Sequence, residues 1–268
     1  MTDFDYNYLD KDGKMVFAGK GERVNIPREF DLGGGKVSYA IIDEESKINI
    51  NTASRDLLWN LMKALGIEIA ARDVIADSIL DWRDTNSDYH LNGAESDDFY
   101  LKLSHPYEAK NGSLDSYEEL LLVKGITPDI FYGAKDIPQG INFANLQTNA
   151  ETKTPEDYNS DFSGIHNYIT SFGAHQININ TASEKALEAR LGTAVSQQII
   201  SQRKDGMVFQ QPPSYGGGGI VKSTTFTIIA KGYAADEKAF HQIKAVVEKR
   251  AGQKQKPEIR IRYWNDNI

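Results

Sequence analysis

Seven residues, Ile-Asn-Ile-Asn-Thr-Ala-Ser, occur twice in this chain, at 48–54 and at 177–183. Their first half alternates apolar and polar residues as a short strand does, and their second half offers side-chain oxygens that can cap a helix. In the first copy, Asn51 or Thr52 is the predicted cap. Each copy therefore predicts a passage from an extended segment into a helical hairpin.

The residues after the first copy have helical periodicity. The apolar positions that recur at helical spacing are Leu57, Leu58, Leu61, Leu65, Ala71, Ile75, Ile79 and Trp82. A polar stretch from Gly133 to Tyr158, which contains Pro138, Gly140 and Pro155, predicts a loop inside this helical region.

Both ends of the chain have strand character instead. The predicted strands are Lys14–Phe17, Lys36–Asp43, Thr224–Tyr233 and Ile259–Trp264, while 238–250 fits a helix nearly as well as an edge strand. We therefore predict an α+β fold. Residues 1–46 and 209–268 form a β-rich domain, and residues 47–208 form a large all-helical insertion close to an average domain in size.

Three places in the helical region have a helix, a glycine with an apolar neighbour, and a second helix, as a helix-hairpin-helix does: Leu65-Gly66-Ile67, Lys124-Gly125-Ile126 and Leu191-Gly192-Thr193. In DNA-binding hairpins a second glycine, two residues on, lets backbone amides approach a phosphate. Here that position holds Glu68, Thr127 and Ala194. Because the Glu68 carboxylate would repel a phosphate, we expect these hairpins to pack helices rather than to bind DNA.

The charge and composition exclude several classes of protein. The net charge of −8 lacks the basic footprint of a nucleic-acid binder, and the absence of cysteine excludes disulfides and thiolate metal sites. No window approaches the roughly eighteen consecutive apolar residues that a membrane span needs. Residues 1–12 also lack a signal-like segment. We expect a soluble chain, and composition leaves the cytosol and an extracytoplasmic location both open.

An acidic loop follows the apolar stretch that ends at Trp82. Asp84, Asn86, Asp88 and Glu95 occupy positions one, three, five and twelve of a loop, and Asp97 and Asp98 follow. This is the ligand spacing of an EF-hand, although Tyr89 replaces the glycine that makes the EF-hand turn. Hard oxygen ligands favour Ca²⁺. The sequence therefore predicts a calcium loop, and the alternative is a solvated acidic loop.

Catalytic motifs are missing from the sequence. The five histidines form no metal or nucleophile motif, and no phosphate loop or nucleophile elbow occurs. We therefore predict that the chain is not an enzyme.

Several motifs in combination resemble one family. They are the Ile-Asn-Ile-Asn-Thr-Ala-Ser copies, Ile79–Asp84, Gly93-Ala94-Glu95 with Phe99-Tyr100, Glu119–Thr127, Ile165–Ser183, Ser223–Phe226 and Arg262-Tyr263-Trp264. The chain resembles the minor pseudopilins of the type II secretion system, subunit K, over nearly its whole length.

The resemblance implies a pilin-like domain formed by both chain ends and a helical insertion that binds calcium, which would map to Asp84–Asp98. It further implies a place at the tip of a periplasmic pseudopilus, with minor pseudopilins I and J as partners and a role in export across the outer membrane. The secreted substrate and the secretin would be further partners. The family is anchored in the inner membrane of Gram-negative bacteria by an N-terminal hydrophobic helix, which this chain lacks.

The second interpretation is a helix-hairpin-helix DNA-binding protein of the competence receptor type, in which the same heptapeptide also precedes a helical hairpin. The net charge and the missing second glycines oppose it.

Overall fold

The computed structural model describes residues 4–20, 22–133, 138, 163–215, 217–234, 240–251 and 257–266. The chain divides into two compact units. The sheet unit comprises Met1–Lys47, Phe172–Ser183 and Val195–Ile268, and the helical unit comprises Ile48–Ser171 and Glu184–Ala194. These units differ from the predicted boundaries at Lys47 and over 172–183 and 195–208. The predicted loop at 133–158 lies outside the described residues except for Gly133 and Pro138.

The elements below are numbered in chain order. The strands are β1 (Tyr6–Leu9), β2 (Met15–Gly19), β3 (Glu22–Arg23), β4 (Glu29–Leu32), β5 (Gly35–Asp43), β6 (Ile48–Asn49), β7 (Ile169–Thr170), β8 (Ile177–Asn178), β9 (Gly219–Ile220), β10 (Thr225–Tyr233), β11 (Phe240–Ala251) and β12 (Pro257–Asn265). The α-helices are α1 (Arg55–Ala64), α2 (Ile69–Arg83), α3 (Pro128–Tyr132), α4 (Glu184–Leu191) and α5 (Thr193–Lys204). The chain is thus a mixed α and β protein, as predicted.

A five-stranded antiparallel sheet, in the order β12-β11-β10-β5-β4, dominates the sheet unit. Strand β5 pairs with β10 from Asp43↔Phe226 to Lys36↔Tyr233, so the two ends of the chain share one sheet, as the sequence predicted. The ambiguous segment 238–250 is strand β11, because it pairs with β10 on one side and with β12 on the other. The local sequence fits a helix and a strand nearly equally well, and the pairing with neighbouring strands selects the strand.

A polar cluster is buried at the end of β5. The Asp43 carboxylate is 2% exposed. It accepts hydrogen bonds from Thr181 Oγ1 and Ser223 Oγ at 2.7 Å, from the amides of Asn7 and Asn178 at 3.0 and 3.1 Å, and from the backbone N–H of Glu45 at 2.9 Å. Burial raises the pKa of Asp43 to about 6. These bonds join three separate parts of the sheet unit.

The helical unit has its own hydrophobic core. Leu58, Leu61 and Ile79 are fully buried there, and Trp82 packs edge-on against Tyr100 with ring centroids 5.2 Å apart. The predicted hairpin glycines Gly66, Gly125 and Gly192 adopt φ values of +79°, +86° and +83°. Gly66 joins α1 to α2, Gly192 joins α4 to α5, and the segment before Gly125 is the 3₁₀ helix Tyr117–Leu122. Positive φ explains why glycine occupies the turns.

Both copies of the heptapeptide begin alike. The first Ile-Asn forms β6, which pairs in parallel with β7, and the second forms β8, which pairs in parallel with β9. The side chain of the first asparagine, Asn49 or Asn178, accepts a hydrogen bond from the backbone N–H two residues on, at 2.9 and 3.0 Å. The following helices begin at Arg55 and Glu184. The predicted passage from strand to helix is therefore confirmed.

The second asparagine of each copy binds a distant backbone. Asn51 donates to the carbonyl of Leu114 and accepts from its N–H, at 2.9 and 2.7 Å. Asn180 makes the same two bonds with Phe209, at 2.8 and 2.9 Å. The predicted helix cap at Asn51 or Thr52 is wrong. Ser54 caps α1 instead by accepting from the Leu57 N–H at 3.3 Å, because Asn51 is occupied with Leu114.

An arginine from a later helix donates hydrogen bonds to the backbone of each heptapeptide copy. Arg83, the last residue of α2, donates to the carbonyls of Ile50 and Ala53. Arg203, near the end of α5, donates to the carbonyl of Ala182 at 2.5 Å and to that of Ile179 at 3.5 Å. Burial lowers the pKa of both guanidinium groups. We call each set of heptapeptide, bound backbone residue and arginine a frame: frame 1 at 48–54, 83 and 114, and frame 2 at 177–183, 203 and 209.

Within the described ranges, no helix has the length and apolar character needed to cross a bilayer.

Candidate metal centre

The acidic loop folds back on α2 through a buried aspartate. Asp81 lies in the last turn of α2 and has no exposed surface. Its carboxylate accepts from the backbone N–H of His90 at 3.1 Å and of Ala94 at 2.7 Å, and it also contacts His90 Nδ1. A Cβ added at Gly93 would overlap Asp81 Oδ2, so glycine is required where the loop meets the helix.

The end of the loop is held from two further sides. The Asp77 carboxylate accepts from Asn92 Nδ2 at 3.0 Å and from Arg55 Nε at 2.5 Å. Burial opposes the charge of Asp77, but these hydrogen bonds hold its pKa below the usual value. Lys124 Nζ donates to the carbonyl of Gly93 at 2.8 Å. The residues just before Glu95 are therefore fixed in position.

Glu95 is a buried carboxylate that lacks hydrogen bonds. Its side chain is 3% exposed, and among the described residues neither carboxylate oxygen has a hydrogen-bond partner. Burial, followed by the charges of Asp81, Asp84 and Asp98, raises the pKa of Glu95 to about 7. Such a group needs either a proton or a cation to compensate its charge.

Side chains beside the acidic loop can supply further ligands. Asp81, Asp84 and His90 each offer a ligand atom, and these atoms lie within 4.8 Å of one another. Asp98 is tied to Glu95 because its Oδ1 accepts from the Glu95 N–H at 2.7 Å. A cluster of carboxylates around one desolvated glutamate has the chemistry of a site for a hard divalent cation.

The predicted ligands are distributed unequally around this cluster. Asp84 belongs to the cluster with Asp81 and His90, and the charges of Asp84 and Asp98 act on the Glu95 carboxylate. Asp98 itself is exposed. Asn86 and Asp88 are exposed, and their described hydrogen bonds stay within their own turn: Asp84 Oδ1 accepts from the Asn86 N–H at 3.1 Å, and Asn86 Oδ1 accepts from the Asp88 N–H at 2.7 Å. Asp97 is exposed, and no described contact joins it to Glu95.

The sequence prediction missed Asp81. The sequence did contain a signal for a buried acidic site. Asp77 and Asp81 are four positions apart in a predicted helix, and their neighbours in that part of the helix are mostly apolar. Buried carboxylates at such positions need partners, and the loop amides provide them.

Frame 2 lacks the acidic residues of frame 1. Counting from the arginine of each frame, Ser201 and Lys204 stand where Asp81 and Asp84 stand in frame 1. Because frame 2 folds without these carboxylates, the acidic residues are not needed to build a frame.

Comparison with known proteins supports one family. Residues 39–135 match the family model described as type II secretion system (T2SS), protein K, and this range contains the whole candidate metal centre. The fold is similar to that of a chain in the crystal structure of the GspK-GspI-GspJ complex from the enterotoxigenic Escherichia coli type 2 secretion system. The TM-score is 0.59 at 17% identity, over 91% of this chain and 84% of that chain. No curated protein matches the sequence. The match to the protein K family covers residues 39–135 of the 268-residue chain, and the likeness to the GspK-GspI-GspJ structure extends over most of the fold.

Proposed function

We propose that the chain is a non-enzymatic minor pseudopilin at the tip of the type II secretion pseudopilus. In this role it assembles with minor pseudopilins I and J and supports protein export across the outer membrane. The observation that carries the proposal is the protein K match at 39–135, and the fold likeness to a chain of the GspK-GspI-GspJ complex supports it.

The parts of the chain have separate roles in this proposal. The sheet unit serves as the pilin-like domain, and the helical unit, with its helix-hairpin-helix-like turns, is the insertion. The protein acts in the periplasm of a Gram-negative bacterium, anchored in the inner membrane by an N-terminal hydrophobic helix. The secreted protein and the secretin are further proposed partners.

We propose that the candidate metal centre binds structural Ca²⁺. The ligands with most support are Glu95, whose buried carboxylate lacks hydrogen bonds, and Asp84 and Asp98, whose charges act on it. Asn86 and Asp88 stay in the proposed set on EF-hand spacing, and Asp97 stays because it follows them in the acidic loop. When bound, the cation supplies the positive charge that the buried carboxylates lack. The protein contributes the fixed loop, which Asp81, Asp77 and Lys124 hold.

The assembly proposal is tested by purifying the chain together with the soluble domains of I and J. We expect a complex that survives size-exclusion chromatography. If the three proteins elute separately at micromolar concentration, with and without calcium, the assembly proposal is wrong.

The calcium proposal is tested by calorimetry and by melting in calcium and in chelator. We expect heat of binding and a higher melting temperature in calcium, because a ligand that binds the folded state stabilises it. Identical melts and no heat of binding would contradict it.

A further inference from the structure

Strand β12 forms an outer edge of the five-stranded sheet. It pairs with β11 along its length, from Ala251↔Pro257 to Lys244↔Asn265, and no other strand among the described residues pairs with its second side. In an antiparallel ladder, alternate residues direct their N–H and C=O groups away from the neighbouring strand. The outer side of β12 therefore presents a row of backbone donors and acceptors that a further strand could use.

One face of β12 is apolar. The register shifts between Val246 and Val247, so that Ile261 pairs with Val247 whereas Trp264 pairs with Ala245. Because Val247 and Ala245 lie two residues apart, Ile261 and Trp264 share a face, and Ile259 shares it too. Ile259, Ile261 and Trp264 are 40%, 57% and 54% exposed. We call these three side chains the apolar row.

The apolar row continues into a groove of the same unit. Ile259 lines a cavity of about 330 Å³ together with Phe226, Ile228 and Val247. If a further strand paired with β12, its side chains on the face of the apolar row would therefore contact apolar side chains rather than water.

The opposite face of β12 is basic. Arg250 Nε lies 2.7 Å from Glu248 Oε1, and Arg262 Nη1 lies 3.3 Å from Glu248 Oε2. Arg260 pairs with Glu248 in the ladder, so three guanidinium groups surround one carboxylate. Glu258 pairs with Arg250 on the same face, so three arginines stand against two glutamates. The remaining positive charge contrasts with the net charge of −8 of the whole chain and would attract acidic side chains.

We propose that β12 accepts an extended strand, with alternating apolar and acidic side chains, from minor pseudopilin I or J. The inference rests on the proposed function, because it takes the partner from that assembly. The backbone of the added strand bonds to the free edge, its apolar side chains cover the apolar row, and its carboxylates meet Arg260 and Arg262. A second copy of this chain is a poorer occupant, because the arginines of its own β12 would lie against these arginines.

Amide hydrogen exchange of the complex with soluble I and J domains tests strand addition directly. In the free chain, the outward amides of 258–264 should exchange rapidly. In the complex we expect their exchange to slow by about tenfold or more, because they become bonded to a new strand. If the complex forms while β12 exchanges unchanged, this inference is wrong and the proposed assembly stands. If no complex forms, both are wrong.

Charge reversal tests the predicted chemistry of the partner strand. Arg260→Glu with Arg262→Glu should weaken binding of the soluble domains by about tenfold at low salt. The control is Lys63→Glu with Lys102→Glu, which makes the same change of net charge on the helical unit and should weaken binding by less than about twofold. Equal losses in both variants would mean that long-range charge, and not β12, is responsible.

Two further measurements distinguish strand addition from damage to the sheet and from self-association. Unchanged exchange at the β11 amides shows that the charge-reversed variant keeps its sheet. Sedimentation of the chain alone tests self-pairing. A dimer that the Arg260→Glu, Arg262→Glu variant alters would make a second copy the occupant and would overturn the proposal.

Discussion

Glu95 connects the stability of the protein to pH. Its pKa is about 7 in the folded chain, against an ordinary value of 4.5. Without calcium, the folded state therefore keeps a proton that the unfolded state loses between pH 4.5 and pH 7. We expect the free energy of unfolding in chelator to fall by up to about 3 kcal/mol across this window as pH rises. Urea unfolding at several pH values measures it.

Glu95→Gln removes the titrating group and provides the comparison. The variant should show a flatter pH dependence in chelator and should lose the gain in melting temperature with calcium. Glu108→Gln, an exposed residue of the same unit, is the matched control. An unchanged calcium response in Glu95→Gln would remove Glu95 from the ligand set.

Asp43 shows how one side chain can hold distant segments together. Five hydrogen-bond donors converge on its carboxylate. The substitution Asp43→Asn replaces one of the two acceptor oxygens by an NH₂ group, which is a donor. At pH 7.5, above the pKa of about 6, we expect this change to cost about 2 kcal/mol of the free energy of unfolding. Asp31→Asn, on the exposed strand β4, should cost less than about 0.5 kcal/mol in the same urea titration.

At the scale of elements, the two frames allow a matched comparison. Arg83→Met and Arg203→Met each remove hydrogen bonds to two carbonyls, and each should cost about 2 kcal/mol of stability. Calcium affinity should fall only in Arg83→Met, because Asp84 follows Arg83 directly whereas frame 2 has Lys204 there. Calorimetry of both variants checks this. Equal losses of calcium affinity would contradict the placement of the cation beside frame 1.

The contact between the acidic loop and α2 is tested at Gly93. In Gly93→Ala the new methyl group would overlap the Asp81 carboxylate, so the loop has to move. We expect a loss of about 2 kcal/mol in stability and a calcium affinity lower by about tenfold. Gly217→Ala is the control, because nothing lies within 4 Å of its Cβ position. If both variants bind calcium as the unchanged chain does, the loop does not depend on this contact.

Local patterns in the sequence identified the helices and strands, but they did not identify which segments pack or pair with one another. Alternation found β5 and β10, and apolar spacing found α1 and α2. The segment of β11 stayed ambiguous because only its pairing with β10 and β12 separates strand from helix. In the candidate site, EF-hand spacing led us to predict Asp84 and Glu95 as ligands, and this stays a prediction. It missed Asp81, because the burial of this aspartate under the returning loop is a tertiary feature that loop spacing does not report.

At the scale of the whole molecule, charge separates the two interpretations of the hairpins. The chain has 38 acidic residues against 30 lysines and arginines. We expect no mobility shift of a short DNA duplex at low salt and micromolar protein, where phosphate-binding proteins bind most tightly. A shift that disappears as salt rises would instead support the DNA-binding interpretation.

The sequence predicted one contiguous insertion at 47–208, whereas the compact units interleave along the chain. Helix α4 packs against α1 and so belongs to the helical unit. Strand β8 pairs with β9 and belongs to the sheet unit. Periodicity identifies both elements but does not report which distant segment each one contacts, so the interleaving was not visible in the sequence.

The two frames differ most in what lies between their fixed points. In each, an arginine and a second asparagine hold the chain at two places, and the intervening segment is 84–113 in frame 1 and 204–208 in frame 2. Closing a longer loop costs little additional entropy, so a chain pinned at both places tolerates inserted sequence between them. The same two anchors therefore tolerate an interval of very different length, which is short in frame 2 and holds the acidic loop in frame 1.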